Sequence, residues 1–110
     1  MPGACAGLRV LDFSQGLAGP LATMVLADFG ADVIRVEPVG DDPGWSEPVY
    51  LLLQRGKRSI ELDPSTEEGR AELQRLVCGV DVVIESMGAD RAEATGIGYD
   101  ALAAVNPALV

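Results

Sequence analysis

Short apolar runs that resemble strands alternate with helix-like segments along this chain, and this alternation constrains the fold more than any other feature. The strand-like runs cover residues 8–13, 32–37, 58–62 and 81–85. Most are nearly continuous series of Val, Ile and Leu, which are typical of parallel strands buried on both faces. Parallel strands need a crossover connection, usually a helix. The alternation therefore predicts an α/β fold with a mostly parallel sheet and helices on both faces.

The first helix-like segment carries both a start and a stop signal. Pro20 suits the first turn of a helix because its backbone is already helical and its missing N–H would have no partner there. Gly30 suits the left-handed position that ends a helix. Four apolar side chains recur between them at helical spacing: Leu21, Met24, Val25 and Phe29.

The second helix-like segment begins after Asp63-Pro64. Ser65 and Glu68 form the pattern of a capping box, and Gly79 is expected to end the helix. The remaining expectations are a loop over residues 39–48, either helix or strand over 49–53, short helices near 90–94 and 100–105, and a further apolar run at 108–110. The length of 110 residues allows one domain, and we expect it to be the N-terminal part of something longer.

The composition excludes several classes of partner. Eight Lys and Arg against seventeen Asp and Glu give a net charge of −9, which disfavours a general electrostatic grip on nucleic acid or an anionic membrane. The chain has no histidine, and Cys5 and Cys78 belong to no metal-binding motif, so no metal is predicted. No apolar run approaches the ~20 residues of a membrane span and no signal peptide is recognisable, so we expect a cytoplasmic protein.

Any anion site must therefore be local, and two segments are candidates. The loop at residues 14–19 follows a strand and precedes a helix, where open parallel sheets bind ligands, but its glycines match neither a dinucleotide fingerprint nor a phosphate loop. It is either a ligand loop or a tight turn that needs glycine. The basic segment, residues 55–58, holds three of the eight basic residues and suits phosphates. Its alternative is a solvated loop paired with carboxylates.

Taken together, the ordered segments resemble the N-terminal part of the family III CoA-transferases, which include formyl-CoA transferases, carnitine CoA-transferases and 2-methylacyl-CoA racemases. The similarity runs from Gly7 to Val110 and rests on several motifs at matching intervals. The matching stretches are GLRVLDFS at residues 7–14, AGP at 18–20, LADFGADVIRVEP at 26–38 and RGKRSIELD at 55–63, continued by residues 81–85, 96–99 and 106–107.

The resemblance implies that residues 1–110 are the incomplete, CoA-binding N-terminal portion of a large Rossmann-like domain. It further implies an interlocked homodimer that transfers CoA between an acyl-CoA and a small carboxylic acid. Transferred position by position, the implied CoA contacts are Leu17 and Ala18 after the first strand, Arg55, Lys57 and Arg58 in the basic segment, Leu62, Asp63, Pro64 and Ser65 after the third strand, and Ser86, Met87 and Gly88 after the fourth.

This sequence departs from the family pattern after the fourth strand. Transferases of the family commonly have Asn-Phe-Arg-Pro-Gly there, whereas residues 86–90 of this chain are Ser-Met-Gly-Ala-Asp, and an arginine common a few residues later is Ala94. Two potential phosphate partners are therefore replaced, each worth about 1.5–3 kcal/mol as a charge-assisted bond. Arg91 is a candidate to compensate for them.

Three further hypotheses remain open besides CoA transfer. A 2-methylacyl-CoA racemase is one, because the form of the basic segment resembles that of the racemases. A degenerate dimerisation or scaffold domain is another, because of Gly88 and Ala94. A free-standing dinucleotide-binding module is the third, because Glu37 ends the second strand where such a domain binds a ribose. The family's nucleophilic aspartate, or its His/Asp pair, lies downstream of residue 110, so we expect no catalytic residue within this chain.

Overall fold

The computed structural model describes residues 1–40 and 48–110, which form one four-stranded sheet with helices on both faces. In chain order the elements are β1 (Arg9–Asp12), α1 (Ala18–Asp28), β2 (Asp32–Glu37), α2 (Pro48–Leu53), β3 (Arg58–Glu61), α3 (Glu67–Cys78), β4 (Val82–Ile84), α4 (Ala89–Thr95) and α5 (Tyr99–Val105). The predicted α/β fold is confirmed, and the segment at 49–53, which the sequence left open, is helical.

All strand pairs are parallel, and the strand order is β3-β2-β1-β4. The chain moves from β1 outward to β3 and then returns to place β4 on the other side of β1. The order therefore reverses at β1, where Leu11 pairs with Ile34 of β2 and with Val83 of β4. In open parallel sheets such a reversal leaves a crevice outside the carboxyl ends of the strands, and ligands bind there.

Alternate side chains of β1, β2 and β4 enter two separate cores, as the two-residue repeat of a strand requires. Val10 and Val33 pack beneath α1 together with Ala31. Leu11 and Val36 pack on the other face, against α3 and α5, where Leu73 and Leu102 join them in the larger core.

The apolar run at residues 108–110 behaves as a strand-like segment beside β4. Leu109 is buried in the larger core. Val110 donates its N–H to the Asp81 carbonyl at 3.1 Å and accepts from the Val83 N–H at 2.9 Å. This alternation between partners is the hydrogen-bond pattern of parallel pairing.

The surface of α1 differs from the expectation drawn from its apolar spacing. Of the four spaced apolar residues only Met24 is buried, whereas Leu21, Val25 and Phe29 are 41%, 41% and 54% exposed. Gly30 follows the helix with a φ of +103°, as predicted. Most of the loop predicted for residues 39–48 lies outside the described residues, and none of the helices that are described is long and apolar enough to cross a bilayer.

The start of α3 lies one residue later than the capping-box pattern predicts. Thr66, not Ser65, is the N-cap, and its hydroxyl accepts a hydrogen bond from the Gly69 N–H at 2.9 Å. Ser65 instead bonds to Asp63 Oδ1 through both its N–H and its hydroxyl. The capping box of Ser65 and Glu68 was therefore wrong, because Asp63 competes for the serine. Gly79 ends the helix as predicted.

The cap assignment predicts unequal effects of two neighbouring substitutions. Thr66→Ala removes the acceptor for the first-turn amide and is expected to lower the free energy of unfolding by about 1 kcal/mol. Ser65→Ala leaves that cap intact and is expected to change it by less than about 0.5 kcal/mol. Urea unfolding of the two variants measures both values. A larger loss of unfolding free energy for Ser65→Ala would show that Ser65, not Thr66, is the N-cap.

Candidate functional site

The loops that follow β1 and β4 meet at the reversal of strand order and form a cleft. The Gln15 N–H donates to Ser86 Oγ at 2.8 Å, and the Ser86 hydroxyl lies 3.3 Å from the Gln15 carbonyl oxygen. The cleft has a volume of about 330 Å³ and is lined by Gln15, Gly16, Ser86, Met87 and Arg91. The bonded residues are 71 positions apart in the sequence, and the fold joins their loops at the edge where a ligand is expected.

Two glycines fix the shape of the loop after β1, residues 14–19, which is called the first loop below. Gly16 has a φ of +78°, a conformation that costs other residues energy. A Cβ at Gly19 would lie 2.2 Å from the Ser14 Cβ, so the backbone can approach Ser14 only without a side chain there. A tight turn that needs glycine is therefore sufficient to explain Gly16 and Gly19. This explanation is compatible with a ligand at the edge of the loop.

Five of the implied CoA contacts border this cleft or the loops that form it. Leu17 is the N-cap of α1 and is 63% exposed, and Ala18 begins that helix at the surface. On the other side, Met87 lines the cleft, and Gly88 is the N-cap of α4 with a φ of +85°. These residues and Ser86 are brought together by the fold.

The implied contacts after β3 lie farther along the same edge of the sheet. Leu62 is buried and the residues that follow it form a turn, in which Asp63 accepts two bonds from Ser65. These bonds hold the pKa of the Asp63 carboxyl below its usual value. Because β3 is two strands from β1, the loop of residues 62–65 and the loop of residues 14–18 follow strands whose axes lie about 10 Å apart. An extended ligand is needed to contact both.

A buried carboxylate lies directly beneath the first loop. The Asp12 side chain ends β1 with no exposed surface and accepts from the Ser14 N–H at 2.8 Å, the Ser14 hydroxyl at 2.5 Å and the Thr23 hydroxyl at 2.6 Å. Two cations complete its surroundings, since Arg35 Nη1 lies 3.4 Å away and Lys57 Nζ lies 3.2 Å away. Arg35 also donates to the Ser14 carbonyl.

Lys57 is the buried member of the basic segment. Its side chain is 1% exposed, and its ammonium contacts Asp12 Oδ2 at 3.2 Å, the Pro20 carbonyl at 3.0 Å and Gln54 Oε1 at 3.0 Å. Three oxygens satisfy the three N–H donors of an ammonium. Burial lowers the pKa of Lys57, and the neighbouring Asp12 carboxylate opposes that shift.

Arg55 and Arg58 lie at the amino edge of the sheet, away from the cleft. Arg55 forms a two-point ion pair with Asp28 at the end of α1, with a shortest N–O distance of 2.6 Å. Hydrogen bonding within this pair lowers the pKa of Asp28 and raises that of Arg55. Arg58 forms a similar pair with Asp32 at the start of β2, at 2.7 Å. The fold therefore separates these two arginines from the loops at the carboxyl edge.

A second hollow of about 250 Å³ lies beside β4, α4 and α5. Its lining is mainly apolar and includes Val83, Leu102 and Val110. Among residues 1–40 and 48–110, no group of three or more side chains is arranged to hold a metal ion. The cleft between the loops after β1 and β4 is therefore the better candidate for a charged ligand, whereas the lining of the second hollow is the more apolar.

Comparison with known proteins assigns the family. The profile of CoA-transferase family III matches residues 5–110. The chain belongs to this family. The family resemblance of the ordered motifs is thereby confirmed.

Two similar proteins are both much longer than this chain. A succinyl-CoA:mesaconate CoA-transferase of Haloarcula hispanica is 43% identical over 121 aligned residues, covering 98% of this chain and 31% of that protein. A succinyl-CoA–D-citramalate CoA-transferase of Chloroflexus aurantiacus is 42% identical, covering 94% of this chain and 28% of that protein. The chain thus spans less than a third of the relatives it matches.

Solved structures agree with this assignment. A crystal structure of Rv3272 from M. tuberculosis has a TM-score of 0.89 at 40% identity, covering 98% of this chain and 31% of that one. A CAIB/BAIF family protein from Brucella suis has a TM-score of 0.89 at 38% identity, covering 100% of this chain and 32% of that one. A short chain dehydrogenase/reductase family protein, at 23% identity and a TM-score of 0.52, shares the fold alone.

The buried charge cluster is the part of the site that the motifs did not reveal. Asp12, Thr23 and Arg35 are its members outside the basic segment. A sequence signal was present, because a carboxylate and a guanidinium interrupt otherwise apolar strands at positions 12 and 35. Charged residues are almost never fully buried unless they are paired, so such an interruption indicates an internal ion pair.

The cluster predicts that two carboxylates with basic partners differ greatly in their effect on stability. Asp12→Asn leaves the Lys57 ammonium buried without its anion and is expected to lower the free energy of unfolding by about 3–5 kcal/mol. Asp28→Asn breaks the exposed pair with Arg55, which water screens, and is expected to lower the free energy of unfolding far less. Urea denaturation of both variants measures this contrast, and equal losses would contradict the role given to Asp12.

Proposed function

We propose that residues 1–110 are the CoA-binding N-terminal part of an enzyme that transfers CoA between an acyl-CoA and a small carboxylic acid. The observation that carries this proposal is the meeting of residues 15–18 with residues 86–88 at the reversal of strand order, in a chain of CoA-transferase family III. The names of its relatives, which act on succinyl-CoA together with mesaconate or citramalate, support a dicarboxylic acid as the acceptor.

The chemistry of the cleft suits part of a CoA molecule. CoA is long and carries a diphosphate and a ribose phosphate. The cleft is lined by the hydroxyl of Ser86, the guanidinium of Arg91 and the residues of the loop at Gln15 and Gly16. The loop of residues 62–65 follows a strand whose axis lies about 10 Å from that of β1, within reach of such an extended ligand. In this proposal Leu17, Ala18, Ser86, Met87 and Gly88 contact CoA near the cleft, and residues 62–65 contact its far end.

The buried cluster has an indirect part in this function. Asp12 is bonded to Ser14, and Lys57 is bonded to Asp12 and to the Pro20 carbonyl, so the two charges hold both ends of the first loop. A loop held in its binding geometry loses less conformational entropy when the ligand arrives. We assign Asp12 and Lys57 to positioning of the loop and assign no nucleophile to this chain. The interlocked homodimer remains part of the proposal.

A direct test of the proposal is an exchange assay with the longest natural polypeptide that contains this chain. Incubation of succinyl-CoA with mesaconate, citramalate or glutarate is expected to yield the CoA thioester of the added acid, measured by liquid chromatography and mass spectrometry. If the α-proton of a 2-methylacyl-CoA exchanges in deuterated water and no CoA is transferred, the result would support a racemase instead of a transferase. Absence of both reactions and of CoA binding in calorimetry would favour the scaffold hypothesis.

The resemblance implies phosphate contacts for the basic segment, whereas the ion pairs of Arg55 and Arg58 argue against contacts by these two residues, so the two expectations can be tested against each other. Arg55 and Arg58 are exposed, so changing both to Gln is expected to leave the fold intact. Because each guanidinium is paired with a carboxylate at the amino edge, we expect the double variant to bind CoA within about twofold of the unchanged protein. Titration calorimetry with CoA and dephospho-CoA measures this. A selective loss of affinity for CoA would instead support a contact with the ribose phosphate.

A further inference from the structure

Arg91 differs from the other basic residues in its surroundings. Within residues 1–40 and 48–110, which include all eight Lys and Arg, it is the one cation whose side chain has no hydrogen bond or ion pair with another residue. The other seven each donate to at least one oxygen: Arg9, Arg35, Arg55, Lys57, Arg58, Arg70 and Arg75. The guanidinium of Arg91 is therefore not engaged by any oxygen of the described residues.

The side chain of Arg91 is also placed at a specific location. It is exposed on the first turn of α4 and forms one wall of the cleft, facing the loop that contains Gln15 and Gly16. The nearest carboxylate along β4 is directed elsewhere, since Glu85 accepts the Met87 N–H at 2.5 Å and lines the other hollow. Neither Glu85 nor Asp90 is among the cleft-lining residues.

The opposite wall leaves room for a ligand group next to the guanidinium. Nothing lies within 4 Å of a Cβ built at Gly16 or at Gly88, so both sides of the entrance are open. Ser86 and Gln15 are tied to each other, which keeps the two loops at a fixed separation. The volume of about 330 Å³ is at the lower end of the usual range for ligand pockets and fits a charged group, not a whole cofactor.

Because the chain is acidic, an anionic ligand needs a local cation such as Arg91 in order to bind. A net charge of −9 repels a polyanion at long range, so binding depends on local contacts. A guanidinium binds two phosphate oxygens in a fork, and these charge-assisted bonds are about twice as strong as neutral ones.

We propose that Arg91 is the phosphate-binding side chain of this cleft and contacts a phosphate of CoA. The inference rests on the proposed function, because it names the group that holds the ligand in the same cleft. The diphosphate and the ribose 3′-phosphate of CoA share the required chemistry, and the experiment separates them.

The test compares three variants in the longest natural polypeptide that contains this chain. Arg91→Gln removes the charge, Arg91→Lys keeps the charge without the fork, and Arg75→Gln removes an exposed charge on α3 as the matched control. Titration calorimetry with CoA is expected to show at least about a tenfold loss for Arg91→Gln, a smaller loss for Arg91→Lys, and a change within about twofold for Arg75→Gln. Melting temperatures are expected to stay unchanged.

Smaller ligands identify the phosphate. If Arg91 contacts the diphosphate, Arg91→Gln weakens dephospho-CoA as much as CoA; if it contacts the 3′-phosphate, dephospho-CoA is unaffected. Both results support the proposal. It is overturned by unchanged CoA affinity in Arg91→Gln, or by a loss that accompanies a lowered melting temperature and is equal for pantetheine, which has no phosphate.

Inorganic pyrophosphate distinguishes failure of this inference from failure of the proposed function. A protein that does not bind CoA but binds pyrophosphate, and loses that binding in Arg91→Gln, rejects the CoA proposal and keeps the phosphate site. A protein that binds CoA equally well with and without Arg91 keeps the CoA proposal and rejects the role of this arginine.

Discussion

The Asp12 carboxylate is the point on which the arrangement of this molecule depends. It joins the end of β1 to α1 through Thr23, to β2 through Arg35 and to the segment before β3 through Lys57. Removing these charges from water costs several kcal/mol per ion, which only close pairing and further hydrogen bonds offset. These pairs and hydrogen bonds lie directly beneath the loop that forms one side of the cleft. The cluster therefore fixes where the first loop begins relative to three neighbouring elements.

The candidate site follows from this anchored edge. Parallel pairing of β1 with β4 brings the loops after both strands together, and the bond from Gln15 to Ser86 joins them. The apolar cores lie on both faces of the sheet and leave the carboxyl edge polar. The chain has a net charge of −9, and Arg91 is the cation that lines the cleft among the described residues, so our proposal assigns recognition of an anion to it. Stability and recognition are thus assigned to different basic residues of the described chain, Lys57 and Arg91.

The sequence predicts the fold well because its strongest signals are local and consistent. Apolar runs and glycine stops located the four strands and the longer helices, and the ordered motifs identified the family. Side-chain partners were harder to predict, because they depend on which strands become neighbours. The basic segment is one example. Its three cations lie within four positions of the sequence, but they are paired with Asp28, Asp12 and Asp32 at different places in the fold. The exposed apolar side of α1 is another, since helical spacing alone does not say whether a face is covered.

The central claim is that CoA binds at the cleft between the loops after β1 and β4. The most direct measurement is amide hydrogen exchange, followed by mass spectrometry, on the longest natural polypeptide that contains this chain, with and without CoA. The account predicts slower exchange in peptides covering residues 14–18 and 86–91 when CoA is present, with little change in peptides from the amino edge around Arg55 and Arg58. Protection confined to that amino edge, or unchanged exchange in both loops at saturating CoA, would contradict it.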